Sequence, residues 1–451
     1  MKKLLSLILV LALVLSSAVA LADISSAKVV DTTERKINVK PAGDNEVEDG
    51  ISPTTGRSLD DLAGLAELEP GTLGMAITGD YFPVMVQHCG YNSALGVAAP
   101  WYGSYADIIY ELPKAAGGVT RMCFIFNDYL PPFAGASRST RVGYISIRQE
   151  WDAPYFYAGQ QDDAYDWQIG KCDTNVARTI QNLKLVTDVT AWDQKLPQSS
   201  IQVFNGLDNK KFREYTYRWT GDASGYNNYL WGLSDLYTNI LTADAETPRE
   251  FKNHTFKFSD DLPETGDTAE TVYVLFDKEH ATNGDGDWIY NCMYEYDEDE
   301  NAYTRYAITD LAKPENNPKL FEEQVVAPGT STKITPVNGG GNTIDIQSVP
   351  GEPITFANII VQGIEDKWPG NEMPYPVLTG TGNADYFMGG KHIAGVWKRD
   401  TVEDRTVFYD ENGEEIELQP GRTIIIMMDY NTTYIRDKDD KGRQPREVRY
   451  E

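Results

Sequence analysis

The sequence predicts an α+β protein, in which an N-terminal α/β domain with a mixed sheet is followed by a mainly β C-terminal domain. Two apolar runs, residues 106–112 and 119–126, do not alternate with polar residues, which is typical of central strands buried on both faces. Residues 226–241 show the spacing of an amphipathic helix. Beyond residue 254, short strand-like runs follow one another between turn residues. A chain of 451 residues is too long for one typical core, so two domains are expected.

The composition divides the chain into five expected parts. The boundary between the domains is placed where residues 242–250 interrupt the apolar pattern. Ahead of the first domain the chain is polar and charged, apart from one short helix that Ser58 and Asp61 could cap. The parts are a signal peptide at 1–22, a polar leader with a short helix at 23–73, the α/β domain at 74–245, the β domain at 246–428 and a charged tail at 429–451.

The first 22 residues predict a secretory signal peptide. Lys2 and Lys3 precede an uncharged apolar run at 4–19, and Ala20 and Ala22 are small residues suited to cleavage. The run is short for a membrane span, no second such run follows, and no cysteine follows it that could accept a lipid. We therefore expect an extracytoplasmic protein, secreted or associated with the cell envelope, without a transmembrane segment after cleavage. A retained N-terminal anchor is the alternative.

The charge and the cysteines argue against several classes of function. A formal charge of −28 repels nucleic acid and anionic lipid, so neither is expected as a partner, and solubility is its simplest explanation. The four cysteines lack the CxxC spacing of a zinc site. Their disulfide pairing stays open, although Cys89 and Cys123 lie in strand-like runs that could face each other. No nucleotide-binding loop or metal spacing is present, so we expect no cofactor.

Residues 135–161 are the most informative stretch, because they join three unlike pieces. A Gly/Ser loop carries Arg138 and Arg141, a segment with helical spacing follows, and an aromatic strand comes next at 155–157. Helix N-termini and guanidinium forks both favour anionic or polar oxygens, so the stretch predicts a site for an anion or a sugar. The alternative is that both arginines pair with carboxylates of this acidic protein.

Other residues extend this candidate site. Asp107 or Glu111 could serve as acid or base, or could neutralise an arginine, and His88 is the histidine nearest to the expected cleft. A separate loop at 283–287 has the alternating oxygen side chains of a calcium loop but lacks the distal glutamate, so a solvated turn is favoured there. The ligand-binding candidates are Arg121, Arg138, Arg141, Asp107, Glu111, His88, Trp101, Tyr102 and Tyr157, and no catalytic residue is assigned.

A set of short motifs carries a resemblance to a known family. The motifs are SPTTG at 52–56, PVMV at 83–86, ADIIYE at 106–111, GGVTR at 117–121, SRSTR at 137–141, EWDAPYFYAG at 150–159, YEYDEDENAYTRY at 294–306, FANIIVQ at 356–362, GTGNA at 380–384, GVWKR at 395–399 and FYDENGEEIELQPGRTIII at 408–426. With them the chain resembles the YerB-like putative lipoproteins, which are bacterial envelope proteins built from a two-part domain of unknown function. The resemblance covers nearly all of the chain after the signal peptide.

Four departures from the family pattern bear on function. This chain has His88 where relatives usually have asparagine, an Ala-Pro-Trp-Tyr-Gly run at 99–103 where they have Arg-Pro-Gln-Ser-Gly, Tyr157 where many have histidine, and Ala116 where they have an acid. Polar groups are thus exchanged for aromatic ones beside retained arginines, and Trp101, Tyr102 and Tyr157 could stack on sugar rings.

Two hypotheses about function follow from the resemblance and these exchanges. The first is a binding or scaffolding module for a wall glycan, an anionic envelope ligand or a partner protein. The second is an enzyme acting on a wall glycan or an anionic lipid-linked precursor.

Overall fold

The computed structural model describes residues 24–43, 48–64, 72–74, 83–90, 99–114, 118–162, 173–207, 212–221, 228–243, 254–280, 282, 289–314, 318–336, 342–367, 374–430 and 446–451. Short helices are few in these ranges. They are α1 Leu59–Gly64, α2 Val142–Trp151, α3 Val176–Asn182, α4 Asp188–Gln194 and α5 Leu233–Leu236, with a π-helical turn at Tyr237–Leu241 and 3₁₀ turns at Gly103–Tyr105, Gln198–Ser200 and Arg213–Tyr215. No helix in the described ranges has the length and apolar character needed to cross a bilayer.

Strands make up most of the regular structure. In the first half they are β1 Lys28–Val29, β2 Leu73–Gly74, β3 Val84–His88, β4 Ile108–Pro113, β5 Thr120–Phe126, β6 Tyr129–Leu130, β7 Phe133–Gly135, β8 Tyr155–Tyr157, β9 Val203–Asn205, β10 Thr216–Trp219 and β11 Tyr229–Gly232. In the second half they are β12 Lys257–Phe258, β13 Asp267–Thr268, β14 Thr271–Leu275, β15 Cys292–Asp297, β16 Ala302–Ala307, β17 Lys319–Leu320, β18 Glu322–Val326, β19 Lys333–Pro336, β20 Asn342–Asp345, β21 Ser348–Pro353, β22 Thr355–Phe356, β23 Asn358–Gly363, β24 Glu365–Lys367, β25 Tyr375–Val377, β26 Gly380–Met388, β27 Lys391–Arg399, β28 Val407–Tyr409, β29 Glu417–Leu418, β30 Thr423–Met428 and β31 Glu447–Tyr450.

One large sheet contains strands from both halves of the chain. Its order is β13-β27-β26-β23-β30-β4-β5-β3-β8-β9, with β28 paired to β27. The halves meet where β30 runs parallel to β4, with Thr423 opposite Ile108. The protein is therefore mainly β with a few helices, which agrees loosely with the predicted α+β class. A separate N-terminal α/β domain is not confirmed, because the hydrogen-bonding edge of β4 is satisfied by a strand of the second half. The predicted boundary falls mostly in residues outside the described ranges.

Both faces of this sheet are covered, as the apolar runs predicted. All residues of β4 and β5 are buried. On one face Tyr110 and Ile125 pack with Ile145 and Trp151 of α2. On the other face Phe124 belongs to a core that includes side chains of β14 and β15. A strand with apolar layers on both sides needs no alternation of side chains.

A second sheet brings the two ends of the described chain together. Its order is β1-β31-β14-β15-β16-β17, and Lys28 of β1 lies opposite Tyr450 of β31. The hairpin of β15 and β16 was predicted, and its two strands pair along their full length. Residues 446–451, assigned to a charged tail from the sequence, instead enter this sheet with Val448 and Tyr450 buried. Their alternation of charged and apolar side chains suits a strand with one buried face.

The prediction of a helix at 226–241 is wrong for residues 229–232. Residues 229–232 form β11, which pairs with β10 on one side and β7 on the other. Leu230 and Trp231 are both buried there. Pairing with a neighbouring strand on each edge therefore outweighs the helical spacing of the apolar residues. Helix begins only at Leu233, after Gly232.

Candidate functional site

The three pieces predicted for residues 135–161 are present and adjacent. The loop after β7 is tied to β11 because the N–H of Ser137 donates to the carbonyl of Tyr229. Helix α2 begins at Val142, and Arg141 caps it in an extended conformation without a side-chain capping bond. The aromatic strand β8 then enters the large sheet between β3 and β9, parallel to both. The first turn of α2 therefore opens beside the loop that carries the arginines.

Three arginines meet at this loop, and we call Arg121, Arg138 and Arg141 the arginine cluster. Arg121 is the second residue of β5 and is only 5% exposed. Its Nη1 donates to the carbonyl of Ser139, and the same oxygen lies 3.4 Å from Nη1 of Arg141. Nη1 of Arg141 also donates to the carbonyl of Thr140 at 2.8 Å. Two guanidinium groups thus converge on one neutral oxygen.

The electrostatics of Arg121 are those of a buried cation among like charges. Burial, followed by repulsion from the nearby Arg141 and Arg138, lowers the pKa of Arg121 to about 9. The opposing groups are Tyr144 and Cys89. Among the described residues no carboxylate forms an ion pair or hydrogen bond with Arg121, so its charge has no anionic partner within that part of the chain.

Glu111 does not join the arginine cluster. It is fully buried, and its carboxylate accepts hydrogen bonds from Nη2 of Arg305, at 3.0 and 3.2 Å, and from the hydroxyl of Thr120. Burial raises the pKa of Glu111 against the opposing effect of Arg305. The carboxylate is thus committed to a structural ion pair rather than placed as an acid or base near the loop.

Asp107 lies at the opposite end of the β4–β5 pair from Arg121. Ile108 faces Ile125 at one end of the ladder, while Leu112 faces Arg121 near the other. Oδ2 of Asp107 accepts bonds from the hydroxyl of Thr54 and from the N–H groups of Asn127 and Asp128. Asp107 is therefore a structural acid that binds the SPTTG motif.

Asp128 completes that buried anchor. Its carboxylate accepts hydrogen bonds from the hydroxyls of Ser52 and Thr55, in the same motif. Burial, followed by repulsion from Asp128, raises the pKa of Asp107 well above its ordinary value, and burial also raises that of Asp128. Two acids thus sit close together in a buried site that favours their protonated forms.

His88 is a neutral core residue close to the loop. Its ring stacks on Phe124 with centroids 5.1 Å apart, and neither ring nitrogen has a partner among the described residues. Burial lowers its pKa to about 3. Its backbone forms a β-bridge with Ser137, so the residue is linked to the loop that carries the arginines while its side chain stays uncharged.

The three aromatic candidates are buried rather than exposed to a ligand. Trp101 is 0% exposed and Tyr102 1%, within a cluster in which the rings of Trp101 and Trp219 make an edge contact at 5.3 Å. Tyr157 is 2% exposed, with its hydroxyl bonded to Gln160. The expectation that these rings stack on a sugar is corrected, because no ring face is presented at the surface.

Several predicted features lie outside the described residues. These are the signal peptide, most of the long loop after Gly90, Ala116, the 283–287 loop and Cys172. The described cysteines, Cys89, Cys123 and Cys292, form no disulfide. Cys89 and Cys123 do not face each other, since Cys123 lies opposite Gln87 in the ladder and directs its thiol to the carbonyl of Val86.

A second polar cluster was not predicted from the sequence. Glu150 near the end of α2 lies 3.3 Å from Nη1 of Arg399 and 3.4 Å from Nε2 of His254, and all three side chains are buried. They border a cavity of about 900 Å³. Glu150 opens one of the motifs quoted above and Arg399 closes another, so the motifs held the signal, but nothing in the sequence shows that they meet.

Comparisons with known proteins give a family match and a similar fold. The family described as protein of unknown function (DUF3048) matches with its N-terminal domain at residues 94–229 and with its C-terminal domain at residues 287–425. The crystal structure of the YerB protein from Bacillus subtilis is similar in fold, with a TM-score of 0.51 and 18% sequence identity over 84% of this chain and 96% of that one. No curated protein matches the chain.

Proposed function

Because the chain belongs to the YerB-like proteins, which share this two-part domain of unknown function, we propose that it is a binding module of the cell envelope. Its ligand is an anionic group, a phosphate or a carboxylate, carried by a wall glycan or by a partner protein. The arginine cluster holds that group. The observation that supports this most directly is the buried Arg121, whose charge meets other arginines rather than a carboxylate within the described part of the chain.

A buried cation without a counter-ion is costly, and an anion from outside would offset that cost. Removing a guanidinium from water costs free energy that only hydrogen bonds and opposite charge return. Arg141 stands at the N-terminus of the ten-residue helix α2, where free N–H groups and the helix dipole also favour negative charge. The cluster is a local exception in a protein with a net charge of −28, which favours one small anionic group over a long polyanion.

The alternative of an enzyme is less well supported. Acid–base chemistry needs a titratable group within hydrogen-bonding reach of the reacting atoms. The two carboxylates suggested for that role are bonded elsewhere, Glu111 to Arg305 and Asp107 to Thr54. Binding needs only the converging donors.

The extracytoplasmic location rests on the sequence of residues 1–22. N-terminal sequencing of exported protein tests it: a mature chain beginning at Asp23 or Leu21 supports export by a cleaved signal peptide. An exported chain that retains Met1 contradicts it.

The binding proposal is tested with Arg141→Ala and Arg141→Lys. Titrations would use inorganic phosphate and soluble wall fragments, with a melting curve for each variant. Losing a charge-assisted contact costs about 1.5–3 kcal/mol, so Arg141→Ala should weaken binding ten-fold or more while the protein stays folded. Arg141→Lys should restore only part of the affinity, because an ammonium lacks the planar fork.

The matched control is Arg178→Ala, which removes the same charge from a half-exposed arginine paired with Asp173. It should leave binding unchanged. If Arg141→Ala lowers the melting temperature but leaves affinity as it was, the arginines are structural and the proposal fails.

A further inference from the structure

Another cavity, of about 500 Å³, lies between the N-terminal segment and the large sheet. One wall comes from β1 and the residues that follow it, and another comes from β27 and the neighbouring β13, which pair with each other. The volume is within the range of small-ligand pockets. The polar leader expected from the sequence therefore contributes to a cavity of the folded protein.

His392 of β27 is held by a buried carboxylate and lines this cavity. Its Nε2 lies 2.8 Å from Oδ1 of Asp385, whose side chain is closed to solvent, while the His392 side chain is 8% exposed. Nδ1 has no hydrogen-bond partner among the described residues, yet it is not one of their solvent-inaccessible polar atoms, in contrast to Nδ1 of His254. A ligand in the cavity can therefore reach this nitrogen.

The bonds of Asp385 determine what Nδ1 of His392 can do. Oδ1 of Asp385 also accepts a hydrogen bond from Nη2 of Arg35, at 2.7 Å. An ionised carboxylate only accepts hydrogen bonds, so in the neutral imidazole the single ring proton lies on Nε2. Nδ1 then carries a lone pair and accepts a hydrogen bond from a ligand. The bond to Asp385 also fixes the orientation of the ring.

The basic groups at the cavity already have partners. Both Nη atoms of Arg35 donate to backbone carbonyls, and Nη2 also donates to Asp385. Lys28 is paired with Asp267, and the hydroxyl of Tyr450 donates to the same carboxylate. An anionic ligand would have to compete with these acceptors for the donors that they occupy.

The groups that are left for a ligand are acceptors. Glu411 is exposed at the cavity, and none of the described residues pairs with its carboxylate. The carboxylate of Asp31 accepts from Thr33, and these hydrogen bonds lower the pKa of Asp31, so it is ionised at pH 7. Of the four carboxylates at the cavity, counting the buried Asp385 behind His392, only two are opposed by cations. The field in the cavity is therefore negative.

These acceptors favour an organic cation over a metal ion. Within the described ranges, no three histidine, cysteine, aspartate or glutamate side chains form a group that could hold a metal. A primary ammonium group is positively charged and has three N–H donors that point in different directions. It can therefore serve acceptors that lie too far apart to chelate an ion.

We propose that this cavity binds a small ligand through a primary ammonium group, which donates a hydrogen bond to Nδ1 of His392 and is attracted by the carboxylates of Asp31 and Glu411. The site shares no residue with the arginine cluster and selects the opposite charge. The inference goes beyond the anion-binding proposal and does not depend on it.

The test is calorimetric titration of the full chain with Nα-acetyl-lysine methylamide and with glucosamine. The first carries its ammonium group on a peptide side chain and the second on a sugar, so the tighter of the two identifies the source of the group. The titrations are done at low ionic strength, because salt screens exposed charges. Choline has the same charge but no N–H donor, and it should bind about ten-fold more weakly or less.

Two variants place the binding in this cavity. Glu411→Gln removes an exposed carboxylate and should weaken binding of the ammonium compounds several-fold. Its matched control is Glu417→Gln, which makes the same change at an exposed position of β29 outside the cavity and should leave affinity unchanged. His392→Phe keeps a ring against Tyr450 but has no acceptor, and it should lose about ten-fold or more in affinity.

The proposal is overturned if neither ammonium compound binds at millimolar concentration, or if choline binds as tightly as they do. It is equally overturned if Glu411→Gln and Glu417→Gln have the same effect, or if folded His392→Phe binds like the unaltered protein. A melting curve shows whether His392→Phe is folded. If it is not, the comparison of the two glutamate variants decides.

Discussion

Nη2 of Arg305 lies 3.0 and 3.2 Å from the two carboxylate oxygens of Glu111, in an ion pair that is closed to solvent on both sides. Glu111 belongs to the first matched domain and Arg305 to the second. The guanidinium also lies over the ring of Phe321, 4.8 Å from its centroid. The pair therefore joins the two halves of the chain. Both partners are needed, because either charge alone would be buried without compensation.

Breaking this pair should be strongly destabilising. Glu111→Gln leaves Arg305 buried beside a neutral amide, and removal of one partner of a buried pair costs about 3–5 kcal/mol. Urea denaturation should report a loss of this size in the free energy of unfolding. The matched control is Glu365→Gln, which breaks a half-exposed pair with Lys367 and should cost less than about 1 kcal/mol. Equal effects of the two changes would contradict the structural role of Glu111.

The buried acids Asp107 and Asp128 predict a distinctive dependence on pH. Their pKa values are raised in the folded state, so above the unfolded value of about 4 the folded protein holds more protons than the unfolded one. The stability that they contribute is therefore present at low pH and is lost as the pH rises through their folded values. Asp107→Asn cannot ionise, and its stability relative to the unaltered protein should increase between pH 4 and pH 7.

The measurement is the difference between the two unfolding free energies at each pH, which cancels the titration of the groups that do not interact with Asp107. Each unit of difference in pKa corresponds to about 1.4 kcal/mol. A difference that stays constant across this range would show that Asp107 is ionised in the folded protein.

The anion site predicts that phosphate stabilises the protein through Arg121. A ligand that binds only the folded state adds RT ln(1 + [L]/Kd), or about 2.7 kcal/mol at one hundred times Kd. Melting temperatures should rise with phosphate in the unaltered protein and rise less in Arg121→Met. Without phosphate this variant should be as stable as the unaltered protein or more so, because a buried cation is removed from beside two others. An equal response of both proteins to phosphate would argue for a general salt effect.

Substitutions of Trp101 test whether its ring belongs to the core or contacts a ligand. Its ring is fully buried against Trp219 and Phe133, so Trp101→Ala should cost about 3–5 kcal/mol of stability. Trp101→Phe keeps most of the ring and should cost less. Neither change should alter binding of phosphate or of soluble wall fragments at temperatures where the variant is folded. Weaker binding of soluble wall fragments by stable Trp101→Phe would show that this residue does contact the ligand.

Local features were predictable from the sequence, and contacts between distant residues were not. The buried strands β4 and β5, the loop–helix–strand at 135–161 and the β15–β16 hairpin all follow from patterns within a few residues of one another. The partner of Glu111 lies 194 residues away, and nothing in the spacing of either segment indicates it. The carboxylates and the arginines were expected together because they are close in sequence, yet each acid is bonded to a distant partner.

The same limit explains why the burial of the aromatic residues and the polar cluster around Glu150 were not predicted. Trp101 and Tyr102 have the composition of a ligand wall, but Trp219 and Ile344 cover them from elsewhere in the chain. Glu150 and Arg399 come together only in the folded protein, where α2 packs near β27. His254, which lies against Glu150, belongs to none of the motifs, and its stacking on Trp151 could be seen only in three dimensions.

The parallel pairing of β4 with β30 sets the order in which the protein can be completed during synthesis. Ile108 leaves the ribosome long before its neighbour Thr423 exists, so β4 has an apolar, unpaired edge throughout that interval. Such edges attract other strands, and long-range pairings of this kind form slowly. A chain interrupted before β30 would keep the edge open and be prone to aggregate. Shielding of the nascent first half until β30 has been translated would lower that risk.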